Sequence, residues 1–569
     1  AWYYYRHRRP STAGTVRQIE RFLENTYGLT PLPPKPETPT SFELVRFSEY
    51  LQNVRGLENT TIRSHIGCLQ NFLNFLDYNA DSNVLSKLTS KQIEGFLCSC
   101  AKRLNRYSLQ HVVGYLRAFL KFQYEKGVIE NPLYAMIDTP RVYRLECLPR
   151  SLPWEKVKAF LLSIDRSNAH GIRDYTMLFL MATYGLRACE VVCVTLDDFD
   201  WHTGIMRIPQ SKTKNQLVLP ITDAAGKVLI EYLEKSRPKL SYRQMFLRVR
   251  APYGPLKPTA VGEIFQHWVR VSGLDLPYQG PHCLRHSYAV HLLRQGEPLK
   301  TIGDLLGHRS TESTCAYLRL AVEDLRTVAL PIPKGANHFA HIDLTQSGTR
   351  IKERKITKRF HTQSLLLRSF LANELRDFLH LKRSLGRKYV VEGYSLRSFD
   401  DFLANQYPLS KELTAKMFSC WHMTMQSLSP GVQRKWMQTV RNFCLYRRRS
   451  QPQSFVPDAL MFPTSGPQFT PYIFSEAEVA QLLSATHYLP HSQRYPLRAQ
   501  TLRIAILILY TTGLRRGELL RLKLSDFNLV ESTLLIEASK FHKSRIVPIS
   551  VSVAAELKAY VRLRYKSRL

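Results

Sequence analysis

A histidine and an arginine three residues apart are the first residues that suggest chemistry. They occur as His282-Cys-Leu-Arg285 directly after Pro281. Proline suits the first turn of a helix, so the pattern predicts a helix that starts here, with His282 and Arg285 on one face. A guanidinium fork, an imidazole and the positive end of a helix together suit a bound phosphate. Taken alone, the same pattern also fits an ordinary polar first turn.

Four more positions stand out only in combination. Arg187 follows Gly185-Leu186, and Lys212 lies between two strand-like runs. His308 follows Gly307, a residue typical of a helix end, and Tyr317 comes nine positions later. Singly, each fits a structural role: an exposed arginine, a solvated turn lysine, a polar surface histidine and a core tyrosine.

An internal repeat relates two distant parts of the chain. Thr183-Tyr-Gly-Leu-Arg187-Ala-Cys-Glu190 matches Thr511-Thr-Gly-Leu-Arg515-Arg-Gly-Glu518, and the following Leu-x-Asp-Phe, Ser-Lys and Pro positions also match. All lie 328 positions apart, as do Lys212 and Lys540, with no gap. A constant offset over several motif points indicates a tandem of two related units. The sequence after Pro548 is much shorter than that after Pro220, so we expect the second unit to be truncated.

The elements that must position these residues are mostly helical. Apolar residues at helical spacing, such as Leu109, Val112, Leu116 and Phe119, predict helical bundles, and Gly204–Ile221 predicts a hairpin. We expect a mainly α, multidomain chain in which helical and mixed α+β domains alternate. The predicted divisions are a basic extension and Pro-rich linker (1–40), a helical domain (41–138), a mixed domain (150–330), a basic linker (331–360), a second helical domain (361–455) and a second mixed domain (470–569).

Composition narrows the classes of function. The chain has 569 residues and a formal net charge of +34, which indicates a polyanionic partner, with nucleic acid favoured over an anionic membrane. No apolar run is long enough to cross a bilayer, the ten cysteines lack zinc-ligand spacing, and we expect them to be reduced core thiols. The N-terminus has no initiator Met and no signal core, so we expect a non-secreted, cytoplasmic fragment.

The ordered set Arg…Lys…His-x-x-Arg…Gly-His…Tyr resembles the signature of the tyrosine recombinases, or phage integrase family. His282-Cys-Leu-Arg285-His286-Ser-Tyr-Ala is the most specific stretch. The resemblance implies a helical, SAM-like core-binding domain followed by a catalytic domain. It also implies that this enzyme cleaves and rejoins DNA strands through a covalent 3′-phosphotyrosyl intermediate, with no metal, ATP or other cofactor.

The resemblance also implies a role for each residue. Tyr317 would be the nucleophile, Arg187 and Arg285 would hold the non-bridging oxygens, and Lys212 would be the general acid. His282 would assist proton transfer, His308 would donate a hydrogen bond to the phosphate, and Glu190 would support the site. The partners implied are double-stranded DNA and further protomers, as a tetramer when two DNA sites are joined, with no membrane.

In the second unit only Arg515, Lys540 and Glu518 match, and no His-x-x-Arg, Gly-His or matching tyrosine follows. We therefore expect DNA binding at most from this unit. A true fusion with a degenerate half and a join of two neighbouring genes both remain open. So do two other functions for the whole chain: a type IB topoisomerase-like enzyme and an inactive DNA-binding protein derived from a recombinase.

Overall fold

The computed structural model describes residues 18–28 except 21 and 25, residues 38–336 except 144–145, 211–214, 252, 279 and 321, and residues 366–566 except 465–469 and 491–494. Most of the expected N-terminal extension, much of the 331–360 linker and Lys212 lie outside the described residues. The chain forms two compact units. We call them the mixed unit (1–33, 143–348 and 473–569) and the helical unit (34–142 and 349–472).

The helical unit is built from two runs of helices. The first run contains α1 (Pro39–Glu49), α2 (Asn59–Phe75), α3 (Ser90–Ala101), α4 (Arg106–Glu125) and α5 (Leu133–Met136). The second run contains α15 (Ala372–Ser384), α16 (Val390–Gln406), α17 (Ala415–Met423) and α18 (Pro430–Arg447). Both runs are helical, in agreement with the mainly α class predicted from the apolar spacing.

Short polar residues start several of these helices. The Thr38 hydroxyl accepts a hydrogen bond from the Ser41 N–H, and the Ser41 hydroxyl accepts one from the Thr38 N–H. Thr89 and Gln92 form the same reciprocal pair before α3. Such pairs satisfy N–H groups that the helix itself leaves without acceptors.

The two helical runs share one hydrophobic core. Phe72, Phe119, Phe378 and Phe443 all belong to the same cluster of buried side chains. Ion pairs also join the runs: Lys382 Nζ lies 2.7 Å from Asp138, and Arg449 lies 3.4 Å from Glu94 and 3.1 Å from Asp138. The two runs therefore fold as one body.

The first part of the mixed unit, residues 143–336, is called the first mixed segment. Its helices are α6 (Trp154–Leu162), α7 (Ala169–Tyr184), α8 (Ala188–Cys193), α9 (Asp223–Lys235), α10 (Pro258–Ser272), α11 (His282–Arg294), α12 (Leu299–Leu306), α13 (Thr311–Cys315) and α14 (Glu323–Arg326). Its strands are β1 (Phe199–Asp200), β2 (Ile205–Gln210), β3 (Asn215–Pro220), β4 (Leu247–Arg248) and β5 (Gly254–Pro255).

The predicted hairpin is the centre of a small antiparallel sheet in the order β1-β2-β3. Met206 pairs with Leu219 and Ile208 with Leu217. Met206, Ile208 and Leu219 belong to the buried core beneath the sheet. The alternation of buried and less buried residues along β2 therefore directs one face of the hairpin onto the helices.

Residues 473–566 are called the second mixed segment. Its elements are α19 (Glu476–Ala485), α20 (Arg498–Thr512), α21 (Arg516–Leu519), β6 (Phe527–Asn528), β7 (Thr533–Ile536), β8 (Arg545–Pro548) and α22 (Val551–Lys566). Its sheet is antiparallel in the order β6-β7-β8, like that of the first mixed segment. A separate apolar core, which includes Leu507, Leu534 and Val553, holds this segment together.

Among the described residues, no helix is both long and apolar enough to cross a membrane.

All ten cysteines are free thiols, but Cys147, Cys193 and Cys315 are exposed. The expectation that the cysteines are core residues was therefore wrong for these three, because they lie at helix ends and in a linker rather than on apolar faces.

Candidate active site

Glu190 holds the first arginine in place. Helix α8 begins just after Arg187, and the Glu190 carboxylate accepts hydrogen bonds from the Arg187 N–H at 2.8 Å and from its guanidinium at 2.5 Å. The Glu190 side chain is only 2% exposed, and Oε2, the oxygen that accepts from the Arg187 N–H, also lies 3.9 Å from the Arg285 guanidinium. One buried carboxylate therefore orients two cations towards the same region.

Arg285 is fixed by main-chain groups. Its guanidinium donates hydrogen bonds of 2.7 Å to the carbonyl oxygens of Gly185 and Leu306. These residues end α7 and α12, so two helix ends hold the buried side chain in place. Burial, with the nearby charge of Arg187, lowers the pKa of Arg285 to about 10, so it stays a cation at neutral pH.

Tyr317 faces this cationic pair. It lies in a short 3-10 stretch (Ala316–Leu320) and is 4% exposed. Its hydroxyl is 3.1 Å from Nδ1 of His286. Burial raises the pKa of Tyr317, while the charges of Arg285 and Arg187 oppose that rise, so the resting side chain is a neutral phenol.

Two histidines, His286 and His308, lie beside the tyrosine, and a third, His282, lies next to His286. The His308 ring stacks towards Tyr317 at 6.4 Å between ring centroids, and its Nδ1 lies 2.9 Å from the Thr314 hydroxyl. Burial first, then the charge of Arg285, lowers the pKa of His308 to about 4. His282 is exposed, with its ring centroid 4.5 Å from that of His286.

His286 is the functional candidate that sequence reasoning missed. Burial, together with the charges of His282 and Arg285, lowers its pKa to about 3. The neutral ring therefore faces the Tyr317 hydroxyl. Its position directly after Arg285 in the most specific stretch was a usable signal, but adjacent residues on a helix point in different directions.

Gly307 allows His308 to reach the site. It ends α12 in the left-handed conformation at φ 62°, as its sequence context predicted. A Cβ at this position would lie 2.1 Å from the Gln210 side chain. Gln210 is the last residue of β2, so the hairpin packs directly against this turn. The hairpin tip with Lys212 lies outside the described residues.

The second mixed segment contains a related but different cluster. The Arg515 guanidinium donates to Glu518 at 3.0 Å, but the Arg515 side chain is 61% exposed, against 20% for Arg187. Arg545 supplies the second guanidinium on Glu518, at 2.8 Å. This hydrogen bond holds the pKa of Glu518 well below its usual range, against the effect of burial. Lys540 lies over the Phe541 ring, 5.1 Å from its centroid.

The arrangement of the first mixed segment can hold a phosphodiester between two guanidinium groups with a hydroxyl nucleophile beside it. Sequence reasoning named Arg187, Glu190, His282, Arg285, His308 and Tyr317, and the structure places all six in one cluster. Within the described ranges, no group of three or more His, Cys, Asp or Glu side chains is placed to hold a metal ion.

Comparison with known protein families matches both mixed segments and the first run of helices. Residues 151–324 and 473–568 match the phage integrase family, and residues 44–127 match its N-terminal SAM-like domain. The XerH site-specific recombinase bound to difH substrate in a post-cleavage complex covers 55% of this chain and 94% of its own, at 20% identity and a TM-score of 0.41.

Three curated relatives are similar over long stretches. An integrase/recombinase of Sinorhizobium fredii, y4rA, is 34% identical over 288 residues, covering 50% of this chain and 70% of that protein. A second from the same organism, y4gC, is 40% identical over 188 residues, covering 33% of this chain and 97% of that protein. Tyrosine recombinase XerD of Listeria monocytogenes is 29% identical and covers 50% and 95% respectively. The chain therefore belongs to the phage integrase family and is a site-specific tyrosine recombinase.

Proposed function

We propose that the first mixed segment carries the catalytic centre of this recombinase and that Tyr317 is its nucleophile. The Tyr317 oxygen attacks a DNA phosphorus and forms a P–O bond, while the bond from phosphorus to the 5′ oxygen breaks. The phosphate stays linked to the 3′ end of the cut strand, and the leaving 5′ oxygen takes up a proton. The observation that carries this proposal is the buried Tyr317 hydroxyl beside Arg285 and Arg187.

The cations stabilise the transition state. Arg187 and Arg285 hold the two non-bridging oxygens, and Glu190 and the two helix-end carbonyls keep the guanidinium groups oriented before DNA arrives. His308 donates a hydrogen bond to the phosphate. Its neutral ring can do so through Nε2–H when Nδ1 accepts from Thr314.

Proton transfer completes the step. Lys212, which lies between β2 and β3 in the sequence, protonates the leaving 5′ oxygen, and His282 assists removal of the tyrosine proton. In the reverse direction a free 5′ hydroxyl from a partner strand attacks the phosphotyrosine, which conserves the bond energy. Strand exchange then needs two DNA sites and several protomers, as a tetramer at the synapsis.

We further propose that the chain is a tandem of two related copies. Only the first copy, which contains the first mixed segment, cleaves DNA. The second mixed segment carries Arg515, Glu518 and Lys540 at the positions that match Arg187, Glu190 and Lys212. In the second mixed segment Glu518 pairs with Arg545, and Lys540 lies over Phe541. This arrangement suits a structural role or a contact with DNA rather than cleavage.

We also propose that the protein is located in the cytoplasm with the DNA.

A covalent-trap assay tests the nucleophile. Nicked suicide fragments from the DNA that flanks the gene are incubated with wild-type protein, the Tyr317→Phe variant and the Tyr560→Phe control. We expect a 3′-linked, protease-sensitive adduct with wild type and Tyr560→Phe but none with Tyr317→Phe, while all three bind DNA. An adduct of undiminished yield with Tyr317→Phe would rule out this assignment.

The same assay separates strand exchange from simple resealing. A second, labelled strand with a free 5′ hydroxyl is added after the adduct forms. Transfer of the bound strand to the labelled one is expected for a recombinase. Resealing to the original strand alone would instead indicate a topoisomerase-like reaction.

A further inference from the structure

The stretch that follows Tyr317 is held by the second mixed segment. The Arg319 guanidinium, two residues after the tyrosine, donates to the carbonyl oxygen of Ser544 in that segment and, at 2.9 Å, to that of Cys147 in the first mixed segment. Arg326 donates to the Glu531 carbonyl at 2.7 Å. Two long side chains are therefore anchored to main-chain groups, which cannot move without moving the segment itself.

Contacts continue further along the same stretch. The Ile332 N–H donates to the Ser552 hydroxyl at 3.2 Å, and the Lys334 N–H donates to the Glu476 carboxylate at 3.0 Å. The side chains of Ile332 and Ala336 pack on the apolar core of the second mixed segment. The described residues of 316–336 thus contact the second mixed segment at several points, at Arg319, Arg326, Ile332, Lys334 and Ala336.

The apolar contact is reciprocal. Ile546, on strand β8, packs against the small cluster that contains Tyr317, Leu320 and Leu306. Each segment therefore contributes an apolar side chain to the core of the other. If the residues that follow Tyr317 moved away from the second mixed segment, apolar side chains of both segments would be exposed to water. This cost opposes the movement.

The loop before β8 is shaped for this contact. Ala538, Phe541 and His542 all have positive φ, at 45°, 64° and 55°, which costs energy at residues with a side chain. The Phe541 ring lies 4.9 Å from the Tyr143 ring, and the Ser544 N–H donates to the Glu146 carbonyl at 3.0 Å. The position that matches Lys212 in the repeat thus lies in a loop used for docking.

We propose that the second mixed segment is a positioning module for the nucleophile: it binds residues 316–336 of its own chain and thereby sets the place of Tyr317 in the catalytic cluster. The proposal rests on the proposed function for the identity of Tyr317 as nucleophile. The docking itself does not depend on that identity. Arg319 and Arg326 are positioning residues, because they act through the tyrosine stretch and not on DNA.

The test uses the full chain with the double substitution Arg319→Ala/Arg326→Ala. The matched control is Arg270→Ala, an exposed arginine in the same unit whose guanidinium bonds within its own helix, to Gln266. Three quantities are measured: hydrogen exchange of peptides from 316–336 without DNA, the Kd for the nicked suicide fragment, and the single-turnover rate of adduct formation on it.

We expect exchange in 316–336 to rise at least about tenfold in the double variant. The rate of adduct formation should fall by about tenfold or more, because a misplaced nucleophile reacts slowly. The Kd should stay within about twofold of wild type. The Arg270→Ala control should match wild type in all three measurements.

Three results would overturn the proposal: unchanged exchange, faster exchange with an unchanged adduct rate, or a rate that rises. Should the double variant fail to fold, Ser552→Ala removes one acceptor only and should give a smaller change in the same directions. If only the proposed function is wrong, Tyr317→Phe still forms the adduct, but hydrogen exchange in 316–336 still rises in the double variant. The two failures can therefore be told apart.

Discussion

Arg285 combines two duties in one side chain. It carries charge towards the substrate site and also joins the ends of α7 and α12 through the Gly185 and Leu306 carbonyls. An ammonium group has the charge but lacks the planar fork that reaches both acceptors. The identity of this residue therefore matters for folding as well as for chemistry.

We expect Arg285→Lys to lower the free energy of unfolding by about 2 kcal/mol, since at least one buried carbonyl loses its donor. Adduct formation should also be lost. Arg187→Lys is the matched control: its side chain is partly exposed, so the loss of stability should be clearly smaller. Urea denaturation of both variants checks this, and equal losses would contradict the account.

The buried histidines make stability depend on pH. In the folded protein the pKa of His286 is about 3 and that of His308 is about 4, both below the ordinary value of 6.5, chiefly because of burial. Between these folded-state pKa values and 6.5, the unfolded chain binds more protons than the folded one. The stability that these two neutral histidines contribute is therefore fully present above about pH 6.5, and it is lost as the pH falls towards their pKa values in the folded protein.

We expect the Tm of wild type to fall as the pH drops from about 6.5 to about 4, and the Tm of His286→Asn to fall less over that range. Asn keeps a polar group near Tyr317 but does not titrate. His202→Asn, which changes an exposed histidine, is the control and should follow wild type. Thermal denaturation at several pH values measures the slopes, and parallel curves for His286→Asn would refute this explanation.

At the level of helices, a glycine at the C-terminal end of a helix allows a neighbouring element to approach closely. Gly185 and Gly513 end α7 and α20 at almost the same φ, 65° and 61°. A Cβ at Gly185 would lie 2.6 Å from Leu306 and 2.9 Å from Tyr288, whereas a Cβ at Gly513 meets nothing within 4 Å. The same motif is thus tightly packed in one segment and open in the other.

Because the backbone strain is equal, the two alanine substitutions separate strain from packing. We expect Gly513→Ala to cost about 1 kcal/mol from the left-handed conformation alone. Gly185→Ala should cost about 3 kcal/mol, since it also displaces Leu306 and the Arg285 acceptors. Denaturation curves of the two variants give the comparison, and equal costs would show that the site tolerates the displacement.

For the whole chain, the net charge of +34 should dominate DNA binding. Contacts to phosphates release counterions, so affinity should fall roughly a thousandfold between about 50 mM and about 200 mM salt. A fluorescence titration at several salt concentrations measures the slope. An affinity that does not change with salt would mean that few phosphates are contacted.

Much of the local structure and chemistry could be inferred from the sequence. The left-handed helix end at Gly307, the helix that starts at His282, the hairpin of β2 and β3 and the family resemblance all follow from short patterns. These features depend on residues that are close together in the sequence, or on the order of the motifs, and both can be read from the amino-acid sequence. The Arg187, Glu190, Arg285 and Tyr317 set was accessible for the same reason.

Other features were decided only when the chain folded. The Tyr317 hydroxyl meets His286, Arg285 bonds to the ends of two helices, and residues 316–336 dock on a segment that begins more than a hundred residues later. The constant offset of 328 positions was visible in the sequence, but the grouping of the two mixed segments in one compact unit and of the two helical runs in the other was not. Such contacts join positions far apart in sequence and depend on how apolar surfaces are buried together, which no local pattern records.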